Sequence, residues 1–449
     1  MDTANSQSPL GSLPRLALPI IVQNFLTYGV AVADNLMVGR LGEEKISGLF
    51  FGNQVFALLQ ILLFGIECAV VILGSQYWGQ RNLPRIREVL SIAVRLGAGC
   101  GLVAGALAVC APRAVIGLMT DDPAIIGPGA EYLRIAGFSY IFFGATQMLI
   151  AAMRSVESVR IGMFDAALAL IVNVSLNYVL INGYYGFPRL EVRGAALGTL
   201  LTRGMELAMV LFFVLRLDRR LDFRPGGFRL WSPEIFHDLC RYGWPLMAGQ
   251  IVWAANIWGQ TWIIGRLGAA VAAGVSLAGM ANHIISNFVF GLASGVGITT
   301  GKLIGAESFA AVKCWAQQVQ VIFIACGVLA GALVYASQDL LLECYKLKPE
   351  AVDVARTLLI VTAVTVVGRC YQAPCLLGLV KSGGDTAFVF KNDTFFVFAV
   401  VLPSAYIALR LDAAPWVIYA CLLSDQILKC FVAVWKINSF NWMRKLTRK

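Results

Sequence analysis

Charge is scarce in this chain of 449 residues: 14% are Asp, Glu, Lys or Arg, where soluble domains hold about 25%. Too few charged side chains are present to cover a water-facing surface, which removes the ordinary soluble classes. Histidine is nearly absent, and His237 and His283 lie too far apart in sequence to suggest a local metal site. The 11 cysteines include no CxxC pair, and most fall inside apolar runs, as Cys68, Cys100, Cys326 and Cys421 do. That pattern excludes a disulfide framework and a zinc site and leaves thiols acting as small hydrophobes. The N-terminal stretch MDTANSQSPLGSLPR lacks the charged leader, short apolar core and cleavage site of a signal peptide, so the first apolar run is expected to remain as a span. Cofactor-binding signatures are missing too.

Apolar residues are abundant, at 58%, and mean hydropathy is +0.73. Lipid is therefore the expected solvent. A helix crossing the hydrocarbon needs about 20 apolar residues, and twelve candidate spans can be read between charged and Gly/Pro breaks. Six lie in the first half: Pro14–Val38, Ile46–Gly74, Val89–Cys110, Ala130–Ala152, Ile161–Ile181 and Gly194–Leu215. Six more follow: Gly243–Ile264, Gly274–Thr299, Trp315–Ala336, Val354–Val380, Asp393–Leu409 and Pro415–Trp435. The expected fold is an all-α integral membrane protein of about twelve transmembrane helices. Gly97, Gly101 and Gly105 form a stripe of small residues that reads as a helix-packing face.

The basic residues orient the chain. With both termini in the cytoplasm and Arg15 counted with the N-terminal segment, 21 Lys and Arg fall in the inner loops and tails, nine in outer loops and six in spans. That asymmetry follows the positive-inside rule. It also accounts for the net charge of +10 without a nucleic-acid partner. The expected division is an N-lobe over residues 1–215, a cytoplasmic linker over 216–242, a C-lobe over 243–436 and a basic tail over 437–449.

An internal duplication runs at an offset of 226 residues. Pro19 matches Pro245, Gly39-Arg40-Leu41-Gly42 matches Gly265-Arg266-Leu267-Gly268, Phe64-Gly65 matches Phe290-Gly291, and Gly79 matches Gly305. Six spans per copy is an even number, so both copies enter the membrane from the same side as parallel repeats. Lobes related in this way bind substrate between them and rock to alternate access.

The run LALPIIVQNFLTYGVAVADNLMVGRLG followed by SQYWGQRN resembles the multidrug and toxic compound extrusion family. So do NVSLNYVLINGYYGFPRLEVRGAALGTLLTRGMEL, YGWPLMAGQ and KSGGDT. The resemblance extends over nearly the whole chain and rests on order and spacing rather than on one motif. It implies a twelve-helix antiporter of the plasma membrane, not an enzyme, exporting small organic cations in exchange for sodium ions or protons. No cofactor beyond the coupling ion is expected, and the protein is expected to be a monomer whose other partner is membrane lipid.

A carboxylate at mid-span costs roughly 2.5–3.5 kcal/mol on insertion scales and marks a candidate site unless a base three or four residues away neutralises it. By spacing, Asp425 has Lys429, Asp385 has Lys381, Glu157 has Arg154 and Arg160, Glu131 has Arg134, Glu206 has Arg203, and Asp353 has Arg356. Asp34, Glu67, Asp165 and Asp393 have none. Asp165 and Asp393 lie near inner span ends, where solvated or capping roles are expected. Asp34 is the prime candidate, because the resemblance implies an ion-coupling aspartate in the first span. The resemblance also implies that Asn173 and Asn177, four apart on one face, and Thr199 join it as ion-coupling residues, with sodium at Asp34 the one metal ion allowed for. Gln147 is assigned to the substrate cavity. The seventh span carries Trp253 where some sodium-coupled members have a glutamate. Its stripe of Gln250, Trp253, Asn256 and Gln260 fits an organic cation, since aromatic faces attract cations by about 0.5–2 kcal/mol each; interhelical packing competes as its explanation. Glu67 and Arg369 have no assigned role, and pairing across helices is one explanation for both.

Two other functions compete. A flippase for lipid-linked oligosaccharide would want a basic cavity, and mid-span bases are few, with Arg369 the main exception. A membrane-embedded prenyl transferase wants paired acids of the DDxxD kind, and Asp121-Asp122-Pro123 lacks the third acid.

Overall fold

The computed structural model describes residues 9–39, 41–344 and 349–448. Arg40 of the first repeat signature, the polar residues 1–8, the outer-loop bases Lys346 and Lys348, and Lys449 lie outside the described residues. In chain order the helices are α1 (Pro9–Val38), α2 (Glu43–Gly79), α3 (Leu83–Cys110), α4 (Pro112–Gly117), α5 (Pro123–Ala136), α6 (Ser139–Ser155), α7 (Arg160–Asn182) and α8 (Glu191–Phe212). The second half continues with α9 (Pro233–Gly265), α10 (Ala269–Gly305), α11 (Phe309–Ala336), α12 (Gln338–Cys344), α13 (Pro349–Ala373), α14 (Thr386–Phe395), α15 (Leu402–Arg410), α16 (Pro415–Leu422) and α17 (Ser424–Ser439). Short π-helical segments at Pro374–Val380 and Phe396–Val401 join α13 onward and α14 to α15. Pro374 and Pro403 explain them, since a proline without an N–H interrupts the α-helical ladder.

Each of the twelve expected spans falls on these helices. Among the described residues, nine helices are long and apolar enough to cross a membrane, and α5 with α6, bent by 52°, makes a tenth. The remaining two passes, α8 and α9, are the more polar ones, and both carry candidate site residues.

The duplication is visible in the backbone. Gly42 and Gly268, 226 residues apart, both hold positive φ (101° and 89°) with extended ψ, a region open in practice only to glycine. Each starts a helix of 37 residues. Arg81 and Glu307 repeat the correspondence with φ of 59° and 57° ahead of α3 and α11. The glycine stripe behaves as a packing face: a Cβ on Gly101 would stand 2.3 Å from the Tyr140 carbonyl oxygen, and one on Gly105 2.5 Å from that of Gly137. Their counterparts Gly327 and Gly331 approach the carbonyls of Val367 and Ala363 in the same way. Leu102, Val103 and Leu107, on other faces of α3, are exposed, as lipid-facing side chains would be.

The chain forms two compact units, one of Val22–Met247 (the N-unit) and one of Met1–Ile21 with Ala248–Lys449 (the C-unit). The divisions run through α1 and α9, two residues after Pro19 and Pro245, rather than through the 216–242 segment. In the N-unit Gly65 lies against Gly243 and Met247 at the start of α9; in the C-unit Gly291 lies against Ile21 on α1. Each unit thus completes its packing with the leading half of the other repeat's first helix.

The segment expected to be a linker is partly helical, because α9 begins at Pro233. Its earlier part is docked on the N-unit. Leu221 and Phe223 are buried, Arg87 Nε donates to the Leu221 carbonyl (2.9 Å) and Ser91 Oγ to that of Leu230 (2.8 Å). The basic tail is docked in the C-unit, where Trp442 is fully buried and the Arg444 N–H donates to the Gly383 carbonyl at 2.9 Å.

Candidate functional site

The polar core of the N-unit is assembled from α1, α5, α7 and α8. Asn173 and Asn177 sit one turn apart on α7 and are both buried. Asn177 Nδ2 donates to Asp34 Oδ1 at 2.7 Å and lies 3.2 Å from Asn173 Oδ1. Asn173 also bonds the Asp34 carboxylate. Gly198 makes the room, for a Cβ there would lie 2.2 Å from Asn177 Oδ1. That oxygen is buried and has no hydrogen-bond partner among the described residues. Asp34 itself is half-buried, and among the described residues it makes no ion pair within 4.0 Å. Thr199 bonds the Ala195 carbonyl at 3.0 Å, the ordinary resting state of a helical threonine. It also lies beside the hydroxyl of Tyr132, which feels the Asp34 charge and reaches Asn53 Oδ1 at 3.2 Å. Asp34, Asn173 and Asn177 therefore form one hydrogen-bonded group, which Thr199 approaches through the Tyr132 hydroxyl. Gln147 is half-buried on α6 and makes no hydrogen bond among the described residues.

The charged neighbours of this group include the Arg203–Glu206 pair expected from spacing. Arg203 Nη1 holds both oxygens of Glu206 (3.0 and 2.9 Å), its guanidinium lies 4.7 Å from the Phe143 ring centroid, and its charge acts on Asp34. Asp165, expected near solvent, is instead buried, with Oδ1 unpartnered among the described residues and the Glu206 and Arg203 charges nearest. Its solvated role is withdrawn. An excess of acids over bases along the N-half spans was the signal available in the sequence.

Several other pairings depart from the spacing rule. Arg154, expected to serve Glu157, points Nη2 to Gln23 Oε1 (2.9 Å), with the charge of Glu67 nearby. Arg369 donates to Asn282 Oδ1 at 3.3 Å near Asp425 and Tyr419. Glu67 and Arg369 thus each find company in their own unit. Asp393, expected to reach solvent, accepts from Lys429 at 2.8 Å; Lys429 also bridges Asp425 at 3.1 Å. Asp385 is held by Lys436 (2.8 Å) and Arg444 (3.3 Å), and Glu131 by Arg193 (3.0 Å). Asp425–Lys429 is the i,i+4 pair expected from spacing; folding brings the other partners from distant parts of the chain, which no local spacing encodes.

In the C-unit the α9 stripe is more open. Trp253 is 52% exposed, Gln250 is half-buried, and Gln260 Nε2 makes a long contact of 3.5 Å with the Leu422 carbonyl. Asn256 is buried, and its Oδ1 has no hydrogen-bond partner among the described residues.

The family model described as MatE matches residues 19–179 and 252–407. An uncharacterised transporter of Bacillus subtilis, YisQ, is 21% identical over 97% of this chain and 95% of its own length. The multidrug resistance protein PmpM of Pseudomonas aeruginosa is 21% identical over 89% of the chain and 84% of its own. Among solved structures, the MATE transporter VcmN of Vibrio cholerae superposes with a TM-score of 0.85 at 15% identity, covering 97% of this chain and 100% of that one. A MOP superfamily transporter of Pyrococcus furiosus gives 0.86 at 15% identity over 96% of both chains.

Proposed function

The chain belongs to the MatE family, membrane transporters rather than enzymes, and from that premise we propose that it is a secondary antiporter exporting organic cations or drugs in exchange for protons or sodium ions. The observation that carries this reading is Asp34: a half-buried carboxylate in a span, hydrogen-bonded by two buried asparagines and free of any ion pair among the described residues. An acid so placed can gain and lose a cation, whereas one locked to a guanidinium cannot.

In the ion-free state Asn177 stabilises the Asp34 charge through Nδ2. Protonation turns the carboxyl into a donor, and the unpartnered Asn177 Oδ1 becomes its acceptor once the amide turns over. A sodium ion would instead draw on oxygens of Asp34, Asn173, Asn177 and Thr199. Either event neutralises Asp34 and changes how α1 packs on α7. The two six-helix halves then rock to alternate access, as parallel-repeat transporters do. In the C-unit the α9 stripe of Gln250, Trp253, Asn256 and Gln260 is proposed to contact substrate, the Trp253 face attracting a cation; in the N-unit Gln147 on α6 is proposed to do so. The word multidrug in the names of several relatives supports drugs as the cargo. The protein works as a monomer in the plasma membrane, both termini cytoplasmic, with no cofactor beyond the coupling ion.

One inward charge at ~150 mV supplies ~3.5 kcal/mol, enough for about a 300-fold gradient of a neutral substrate. One proton exchanged for one monovalent cation moves no net charge, so the pH difference alone would drive that exchange. The test is efflux of a fluorescent cation from loaded vesicles under separately imposed sodium and pH gradients. Asp34→Asn is expected to insert and to bind the dye yet lose gradient-driven efflux. Normal transport by that variant would sink the assignment.

A further inference from the structure

Besides the half-buried Asp34, two carboxylates on the expected spans of the N-unit are buried, those of Asp165 on α7 and Glu206 on α8, each 4% exposed. The base acting on all three is Arg203. Glu206 takes that guanidinium with both oxygens. Arg154 on α6, half-buried, donates to Gln23 and has the Glu67 charge beside it. Asp34 has its asparagines. Asp165 is left over: its Oδ1 is buried and has no donor among the described residues, and the charges facing it are Glu206 and Arg203. A buried carboxylate oxygen without a partner is strongly unfavourable unless the group takes up a cation or a proton.

We infer that Asp165 is a second exchangeable-proton site, separate from Asp34, which raises the proposed exchange from one proton to two per monovalent cation. A proton fits this place better than a metal ion does. Hard cations gather about six oxygens. Here both Glu206 oxygens are already engaged by Arg203. The step is simple to balance: the Asp165 carboxylate takes one proton from one side of the membrane and returns it to the other, with no bond to substrate. Arg203 couples the two sites, since its charge acts on Asp34 and on Asp165 together.

This inference rests on the antiport reading, and the exchange ratio separates the two. Purified full-length protein is reconstituted, and accumulation of a fluorescent monovalent cation is measured against an inside-acid pH step at clamped potential. It is then measured against an inside-positive potential at equal pH. Two protons per cation give, at full coupling, about 100-fold accumulation per pH unit and about tenfold per 60 mV. Asp165→Asn is expected to give about tenfold per pH unit and no response to potential, and Asp165→Glu to restore both slopes. Equal slopes in the wild type and Asp165→Asn overturn the inference. So does a wild type that ignores potential, or a folded, dye-binding Asp165→Asn protein with no transport, which would merge the residue with the Asp34 site. A loss confined to a sodium-driven slope overturns the proton identity. Undiminished slopes in Asp34→Asn, by contrast, strike the antiport reading itself.

Discussion

The two units share a scaffold and differ in how they balance charge. Arg203 and Lys429 are 226 residues apart, at matching places in the two repeats. In the C-unit Lys429 stands between Asp393 and Asp425, while Asp385 has Lys436 and Arg444. In the N-unit Arg203 is bound to Glu206, with Asp34 and Asp165 also in its field. The C-unit core is a set of matched ion pairs; the N-unit core carries more carboxylate than base. Matched pairs hold structure, whereas a surplus of buried acid demands a cation from outside. Duplication kept the packing, seen in Gly101 with Gly327 and Gly42 with Gly268, and the halves diverged in their chemistry.

The comparison breaks most sharply if the acid can be moved. Asp34 corresponds to Gln260, but the positions matching Asn173 and Asn177 are Ala399 and Pro403, which offer no side-chain donor. Asp34→Gln with Gln260→Asp is therefore expected to leave gradient-driven efflux at background in vesicles. Recovery of transport would mean that either unit can host the chemistry.

Next in size is the loss of a matched base. Lys429→Met strands Asp393 and Asp425, and removing one partner of a buried ion pair costs about 3–5 kcal/mol. The lower end applies here, because Asp393 is 31% exposed. Thermal unfolding of the detergent-purified protein checks it, with a wild-type midpoint counting against a structural role. The glycine stripes come third. Gly101→Ala and Gly327→Ala each force a methyl onto a carbonyl, with overpacking costs of about 1–3 kcal/mol. The Gly101 change should be the larger, because its approach is 2.3 Å against 2.8 Å at Gly327.

What the sequence revealed follows from what is local. Helical passes, the repeat and the glycine stripe are written in runs and periods, so they were readable. The triad of Asp34, Asn173 and Asn177 was reached through the family resemblance, with two members sharing a helix face and the third lying in a first span with no base within a turn. Asp165 was misjudged because distance from a span end is a poor guide to burial when α8 covers the residue. Lys429 with Asp393, Arg154 with Gln23 and Lys436 with Asp385 were invisible for a common reason. Each joins helices far apart in the chain, and the i,i+3 and i,i+4 rule sees only one helix at a time.

The smallest expected effect lies at the loop end of the N-unit, where Lys45 and Arg189 meet Glu191. The Lys45 ammonium bonds the Glu191 carboxylate and holds it below the usual carboxylate range. A depressed carboxyl stabilises the folded form above its ordinary titration range and loses that contribution as pH falls through the depressed value. Both side chains are about a third exposed, so solvent screens the pair and its worth is at most about 1 kcal/mol. Glu191→Gln should lower the unfolding midpoint slightly at pH 7 and make no difference in acid, where the wild type has already lost the charge. Salt should erase the difference as well. The Lys429 triad lies deeper, so its contribution should survive the same salt, and a comparable salt sensitivity at both sites would contradict the contrast between a screened surface pair and a buried matched one.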